Sequence, residues 1–209
     1  MTALEQDLRD FPHRVLTDVE IEMLIGGTPD SRYGKVKRLI ANGKLLHIRR
    51  GLYCLTKPHP FEVAQYIYTS SYISLESALQ YHGLIPETVY TITSASGGRS
   101  KQFNTPLGIF DYQHLPFENL YTDVELIQEN DFRFLMAKPW KAICDYVYCY
   151  KKDWDNLEPL SKSLRINPDD LPELSDQLID ELNEYYHQKR LHRFLKGISK
   201  DLKKRELKK

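Results

Sequence analysis

Two short helical segments joined by a tight turn constrain the fold of this chain more than any other feature of its sequence. The first segment begins at Thr17 and Glu20, which have the spacing of a capping box, and it ends at the glycine pair 26–27. The second segment has Pro29 at its first helical position and Gly43 as its terminator. The sequence therefore predicts a helix-turn-helix within residues 17–43.

Helical periodicity separates a packing side from a polar side in these two helices. The residues expected to pack are Val19, Met23 and Leu24 in the first helix and Tyr33, Val36, Leu39 and Ile40 in the second. The polar side of the second helix collects Ser31, Gly34, Lys35, Arg38 and Asn42, with Arg32 and Lys37 at its borders. Because this side contains no acidic residue, it is basic.

Charge is unevenly distributed along the chain. The formal net charge of the 209 residues is zero, so any charged partner has to be inferred from the local distribution. Residues 31–61 hold eight Lys or Arg and no Asp or Glu. The same block contains two short apolar strands around Arg49, Arg50 and Gly51, which predict a hairpin with a cationic tip. Helix, turn, basic helix and hairpin together predict a winged helix-turn-helix domain over residues 1–58.

A basic helix next to a cationic hairpin tip suits double-stranded DNA. A helix fits the major groove, where Ser, Asn, Lys and Arg reach base edges, and a hairpin tip neutralises phosphates or enters the minor groove. The candidates for base reading are Lys35, Arg38 and Asn42, with Ser31 on the same side of the helix. The candidates for backbone contact are Arg32, Lys37, Arg49 and Arg50. The alternative is that the winged helix binds a protein and that its basic side is only solvated.

The stretch YISLESALQYHGLI, residues 72–85, contains residue types that nucleophilic catalysis uses. Ser74 is expected to cap a helix, with its hydroxyl accepting the backbone N–H of residue 76 or 77. Ser74 and His82 would lie about 12 Å apart along a helix that rises about 1.5 Å per residue, so they cannot form a nucleophile–base pair. We therefore expect a capped helix here and no catalytic site.

Three motifs carry a resemblance to a known family: VKRLIANGKLLHIRRGLYCL, YISLESALQYHGLIPETVYTITS and MAKPWKAICDYVYCY. They resemble the AbiEi family of antitoxins, and the resemblance covers roughly residues 10–150. The middle motif is the most specific, because the first would fit many winged helices. The third differs from the family pattern at Trp140, where the family usually has an acidic residue.

The resemblance implies a function in type IV toxin-antitoxin and phage-resistance systems. In that family the N-terminal winged helix binds the operon's own promoter at inverted repeats and represses it. The second domain acts against a cognate nucleotidyltransferase-like toxin, in many cases without a stable complex. We therefore expect a transcriptional repressor and antitoxin, and the alternative is a protein-interaction module that binds a partner directly.

The rest of the chain predicts a small mixed α/β domain over residues 59–152 and a helical extension over residues 153–209. This gives an α+β fold. Helices are expected after Pro60 and Pro139, and strands at 89–94, 107–115, 123–128 and 132–137. Between the first two strands, the segment ASGGRSKQFN is expected to be a loop, and it lacks the spacing of a phosphate-binding loop.

The extension is acidic first and basic last. Its acids are expected on the outer, solvated side of an amphipathic helix. Residues 187–209 carry ten bases against two acids, and this basic end is either a solvated, fraying helix end or a nucleic-acid contact.

Several other classes of site are not expected. Cys54, Cys144 and Cys149 are interpreted as buried, reduced thiols, because three cysteines without a Cys-x-x-Cys pair fit neither a disulfide framework nor a structural zinc site. Acids and histidines lack ligand or catalytic spacing, so we expect no metal, no cofactor and no enzyme activity. The chain has no run of eighteen apolar residues and no signal-peptide pattern, so we expect a cytoplasmic protein without membrane contact.

Overall fold

A computed structural model describes residues 14–55 and 58–207, and it shows a mixed α+β protein with two separate sheets. The N-terminal unit consists, in chain order, of β1 (Val15–Thr17), α1 (Asp18–Ile25), α2 (Pro29–Ala41), β2 (Leu46–Arg49) and β3 (Leu52–Cys54). Its antiparallel sheet has the strand order β1-β3-β2, and the β2–β3 hairpin turns at residues 50–51. The predicted helix pair and hairpin are therefore present.

The N-terminal unit has a small core of its own. The buried side chains that form it are Leu16, Ile21, Ile25, Val36, Leu39 and Leu45. The predicted packing was wrong for Val19, Met23, Tyr33 and Ile40, whose exposed fractions are 65%, 79%, 71% and 37%. In α1, Ile21 and Ile25 lie one turn apart and face the core, so residues two positions earlier face away from it.

A six-stranded mixed sheet organises the middle of the chain. Its elements are α3 (Pro60–Ile67), β4 (Ser71–Ile73), α4 (Leu75–Tyr81), β5 (Thr91–Ser96), β6 (Lys101–Thr105), β7 (Gly108–His114), β8 (Val124–Glu129), β9 (Phe132–Ala137) and α5 (Pro139–Cys149). The strand order is β6-β7-β5-β4-β9-β8, with the pairs β4–β9 and β5–β7 parallel and the others antiparallel.

The predicted strands of this sheet lie within two residues of the observed ones, and both predicted helices are present. The prediction of a loop over ASGGRSKQFN was wrong at both ends: Ala95 and Ser96 belong to β5, and residues 101–104 belong to β6 and pair with β7. Phe103 in this strand packs on the main core. The polar composition of the segment hid the strand, because β6 lies at the edge of the sheet and three of its five residues are exposed.

The two faces of the six-stranded sheet carry different helices. The Tyr112 hydroxyl on β7 donates to the Ala64 carbonyl oxygen of α3 at 2.7 Å, whereas the Tyr72 hydroxyl on β4 donates to Asp145 of α5 at 2.9 Å. Tyr112 pairs with Ser94 and Tyr72 pairs with Ala95, so these two tyrosines point to opposite faces. The sheet therefore lies between α3 on one side and α5 on the other.

The C-terminal helices complete the face that α5 covers. They are α6 (Leu157–Leu164), α7 (Asp176–Tyr186) and α8 (Lys189–Glu206), with a 3-10 turn at Pro168–Asp170. Their buried residues, such as Leu160, Leu182 and Phe194, belong to the same core as the sheet. The acids of α7 are exposed, which confirms their predicted outer position. In the described part of the basic end, α8 is helical to Glu206 and packs through its apolar side.

Candidate functional site

The candidate interface of the N-terminal unit rests on two well-capped helices. The Thr17 backbone N–H donates to Glu20 Oε2 at 2.7 Å and the Glu20 N–H donates to Thr17 Oγ1 at 3.3 Å, which confirms the predicted capping box. The Thr28 hydroxyl accepts the Ser31 N–H at 3.4 Å at the start of α2. Gly26 and Gly27 both have positive φ, so the turn needs residues that adopt the left-handed region without strain.

Five of the eight candidate DNA-contact residues are exposed to solvent. These are Ser31, Lys37, Arg38 and Asn42 on α2 and Arg50 in the hairpin turn. Val36 and Leu39 are the buried residues of α2, so the opposite side, which includes Lys37 and Arg38, faces solvent. Lys37 was predicted only at the border of the polar side, and it is exposed next to Arg38.

Arg32 and Lys35 turn back toward α1. The Arg32 guanidinium forms a salt bridge with Glu22 at 3.0 Å and donates to the Gly27 carbonyl oxygen at 3.4 Å. The Lys35 amine donates to the carbonyl oxygen of Ile25 at 3.4 Å. Both side chains therefore help to hold the two helices together, and base reading by Lys35 would require it to leave that carbonyl.

The two arginines of the hairpin have different surroundings. Arg49 donates to the Ile67 carbonyl oxygen at 3.1 Å, and its guanidinium lies 4.6 Å from the centre of the Phe103 ring. Arg49 thus joins the N-terminal unit to α3 and β6. Arg50 is exposed in the turn, and Asp18 lies behind it, with its N–H donating to the Gly51 carbonyl oxygen. The cationic tip therefore consists of Arg50, and Arg49 is committed to the domain contact.

A second group of functional residue types lies deep in the mixed domain. Asp145 on α5 accepts four hydrogen bonds: from the Lys141 amine at 2.7 Å, Ser74 at 2.7 Å, Tyr72 at 2.9 Å and Tyr186 at 2.5 Å. All five side chains are at most 1% exposed. We call these five residues the Asp145 cluster.

The charged groups of the Asp145 cluster are buried and paired with each other. Burial lowers the pKa of Lys141, and the neighbouring Asp145 carboxylate opposes that shift. Burial also raises the pKa values of Tyr72 and Tyr186 well above their usual range, with Asp145 adding to the effect. Lys141 further lies 3.8 Å from the centre of the Tyr185 ring. Both oxygens of the Asp145 carboxylate are already hydrogen-bonded, and no side chain of the cluster reaches solvent. The cluster therefore serves to hold β4, α4, α5 and α7 together.

The predicted cap at Ser74 was only half right. Ser74 is the N-cap residue of α4, but its hydroxyl makes no capping bond and donates to Asp145 instead. His82 lies 2.9 Å from the Ala137 carbonyl oxygen, so it does not pair with Ser74. Sequence reasoning missed this cluster, although a Lys and an Asp four residues apart among buried positions of α5 could have indicated it.

The described parts of the chain offer neither a metal site nor an activated thiol. Residues 14–55 and 58–207 contain no group of three or more His, Cys, Asp or Glu that could hold a metal ion. Cys54, Cys144 and Cys149 are free thiols, the first two buried and the third half-buried. Burial raises the pKa values of Cys144 and Cys149, so neither thiol is activated as a nucleophile. In the same ranges, every helix is too short or too polar to span a membrane.

No family model matches this chain, and no curated protein matches it at a significant level.

Proposed function

We propose that this chain is a DNA-binding transcriptional repressor of the winged helix-turn-helix type. The observation that carries the proposal is the exposed side of α2, where Lys37, Arg38 and Asn42 face solvent beside the exposed Arg50 of the hairpin. Residues 31–55 contain no acid, so the charged side chains that this segment contributes to the surface are all basic and favour an anionic partner. The order of helices and strands and the β1-β3-β2 sheet are the arrangement expected for a winged helix.

Within this proposal we assign the DNA contacts to the exposed side chains that make no bond to α1. Lys37, Arg38 and Asn42 are the residues that a groove would meet first, because Arg32 and Lys35 are engaged with α1. Arg50 would contact a phosphate at the hairpin tip. Phosphate contacts supply affinity and salt dependence, and side chains that reach base edges supply sequence preference.

We further propose that the repressor acts as the antitoxin of a type IV toxin-antitoxin system, autoregulating its promoter at inverted repeats and counteracting a nucleotidyltransferase-like toxin. The support for this step is the resemblance of three sequence motifs. Co-expression with the product of the adjacent gene tests it: restored growth is expected, and continued growth arrest would contradict an antitoxin role.

Promoter binding by paired variants tests the proposed interface. We expect Lys37→Ala with Arg38→Ala to weaken binding to the upstream promoter fragment by about 30-fold or more, since each contact to DNA contributes roughly 1–3 kcal/mol. Fluorescence anisotropy at a fixed salt concentration measures this change. The matched control is Arg32→Ala with Lys35→Ala, which removes the same number of charges from the side that faces α1 and should bind within about threefold of wild type after correction for folding. Unchanged binding by the first variant would rule out this side of α2.

A second candidate function is a protein-interaction module. It is favoured by the exposed apolar side chains Val19, Met23 and Tyr33 on the same two helices. Substitution of Val19 and Met23 by Ser would disrupt such an interface and leave promoter binding intact. Loss of a co-purifying partner in this variant, together with no promoter shift by the wild-type protein, would favour the second function over the first.

A further inference from the structure

The outer side of α8 carries a straight row of cations. Lys189, Arg193, Lys196, Lys200 and Lys204 follow each other at steps of three or four residues, so they lie on one side of the helix. The row is about 22 Å long at about 1.5 Å per residue. We call these five residues the α8 basic row.

Close packing fixes the rotation of α8, so the row cannot turn inward. Leu191, Phe194, Leu195 and Ile198 on the other side of the helix are all fully buried. A Cβ at Gly197, which lies at the edge of the row, would be 1.6 Å from the Asp155 carbonyl oxygen, so the preceding loop also packs closely against α8.

Part of the charge on this side of α8 has no internal counter-charge. Arg193 pairs with Asp153, and Lys203, which flanks the row, pairs with Asp176. Lys189, Lys196, Lys200 and Lys204 make no ion pair in the described parts of the chain. Asp201 on the same helix is directed elsewhere, since its carboxylate accepts the Leu157 N–H at 3.2 Å.

The shape and chemistry of the row fit a nucleic-acid backbone. Double-stranded DNA presents about one negative charge per 1.7 Å of its axis, which makes it a dense and linear partner for a linear row of cations. Lysine amines bind phosphates as point charges and read little sequence. The apolar side of α8 is already buried in the core, so the helix cannot insert this side into a membrane as interfacial helices do.

We propose that the α8 basic row binds the phosphate backbone of double-stranded DNA without sequence preference. It lies away from the promoter-reading surface proposed above. The N-terminal unit contacts the α3 side of the sheet through Arg49, whereas α8 contacts α5 on the opposite side through a hydrogen bond from Arg190 to the Tyr148 carbonyl oxygen at 3.2 Å. The row would therefore hold a different segment of DNA from the one that α2 reads.

The salt dependence of binding to a duplex of unrelated sequence tests this inference. The variant Lys196→Gln, Lys200→Gln, Lys204→Gln is expected to bind more weakly, with a slope of log affinity against log salt that is less steep by roughly 2.7, because each phosphate contact contributes about 0.9. Its matched control, Lys101→Gln, Lys151→Gln, Lys162→Gln, has the same net charge and should keep a wild-type slope. An unchanged slope in the α8 variant, or an equal change in the control, would overturn the inference.

Two further measurements separate the possible failures. The α8 variant should keep its preference for promoter over unrelated DNA, whereas Lys37→Ala with Arg38→Ala should lose the preference and keep the α8 contribution to the slope. If only the Lys37→Ala, Arg38→Ala variant departs from its expected result, the proposed function is contradicted and the inference about the α8 basic row is not. Vesicles containing anionic phospholipid serve as a competing probe: loss of vesicle binding without loss of DNA binding in the α8 variant would overturn the assignment to DNA.

The readout stays informative if the triple variant folds poorly. The single variant Lys200→Gln removes one exposed positive charge. It is expected to keep the wild-type thermal transition and to make the slope of log affinity against log salt less steep by about 0.9. A wild-type slope in this folded variant would contradict a phosphate contact at that position.

Discussion

Lysine has opposite surroundings in the mixed domain and in the N-terminal unit. Lys141 is fully buried, bonded to Asp145 and Tyr186 and packed against tyrosine rings, whereas Lys37 is exposed on α2. All partners of the buried lysine belong to the chain itself, so its bonds connect elements of the fold and are not available to a ligand. The exposed lysine has no such partner in the described ranges, so its charge is available to an external anion. This difference, and not residue type, separates structural cations from candidate binding cations.

The strongest test of this comparison is Asp145→Ala. This change leaves the Lys141 amine buried without its carboxylate, and breaking a buried pair in this way costs about 3–5 kcal/mol of unfolding free energy. Urea unfolding followed by circular dichroism measures the loss. Ser74→Ala is the control, because it removes only one of four donors and should cost about 1 kcal/mol. If both variants lost a similarly small amount of unfolding free energy, the Asp145 cluster would not hold these elements together as we infer.

Two glycine substitutions should act in opposite directions in the two regions. Gly197→Ala places a Cβ against the Asp155 carbonyl oxygen of the packed C-terminal helices, and we expect a loss of about 1–3 kcal/mol. Gly34→Ala on the exposed side of α2 meets no atom within 4 Å and should stabilise the helix by up to about 1 kcal/mol. Thermal unfolding of both variants gives the signs, and stabilisation by Gly197→Ala would contradict the fixed packing of α8.

Helix capping should contribute a larger share of the stability of the N-terminal unit than of the mixed domain, because the core of the N-terminal unit is small. Thr17→Ala removes the capping box of α1, and we expect a loss of about 1 kcal/mol. Hydrogen exchange of the α1 amides measures this loss locally. Thr28→Ala is the comparison, since its capping bond is longer, and it should have the smaller effect. If Thr17→Ala changed exchange in α5 as much as in α1, the N-terminal unit would not open independently.

A small pH effect is expected at the junction of the two regions. Burial lowers the pKa of His59, and the Glu129 charge opposes this only in part. The unfolded chain, with an ordinary His pKa of about 6.5, then takes up a proton before the folded chain does, so stability is full above that pH and falls below it. Protonation would also remove the Nδ1 acceptor that receives the Phe61 N–H at 3.3 Å. Comparison with His59→Asn in denaturant unfolding at several pH values checks this: an identical pH dependence of the two proteins would assign the effect elsewhere.

Local sequence signals predicted most of the elements and only part of the candidate site. The capping box at Thr17, the glycine turn and the alternating strands depend on residues close together in the chain, and these predictions were confirmed. The partners of Arg32 and Lys35 lie on the preceding helix, and their contacts depend on how α1 and α2 cross, which periodicity does not specify. Arg49 illustrates the same limit, since Ile67 and Phe103 are far from it in sequence.

The sequence by itself determined where most of the helices and strands lie, which residues are basic and which segments lack acids. Only the tertiary structure decided which of those charges are paired inside the chain and which are available to an external partner. It directed Ser74 to an aspartate 71 residues away, turned Lys35 and Arg49 inward and fixed α8 with its lysines outward. The physical reason is that capping and periodicity act over a few residues, whereas desolvation and charge pairing depend on elements that meet only in the folded chain.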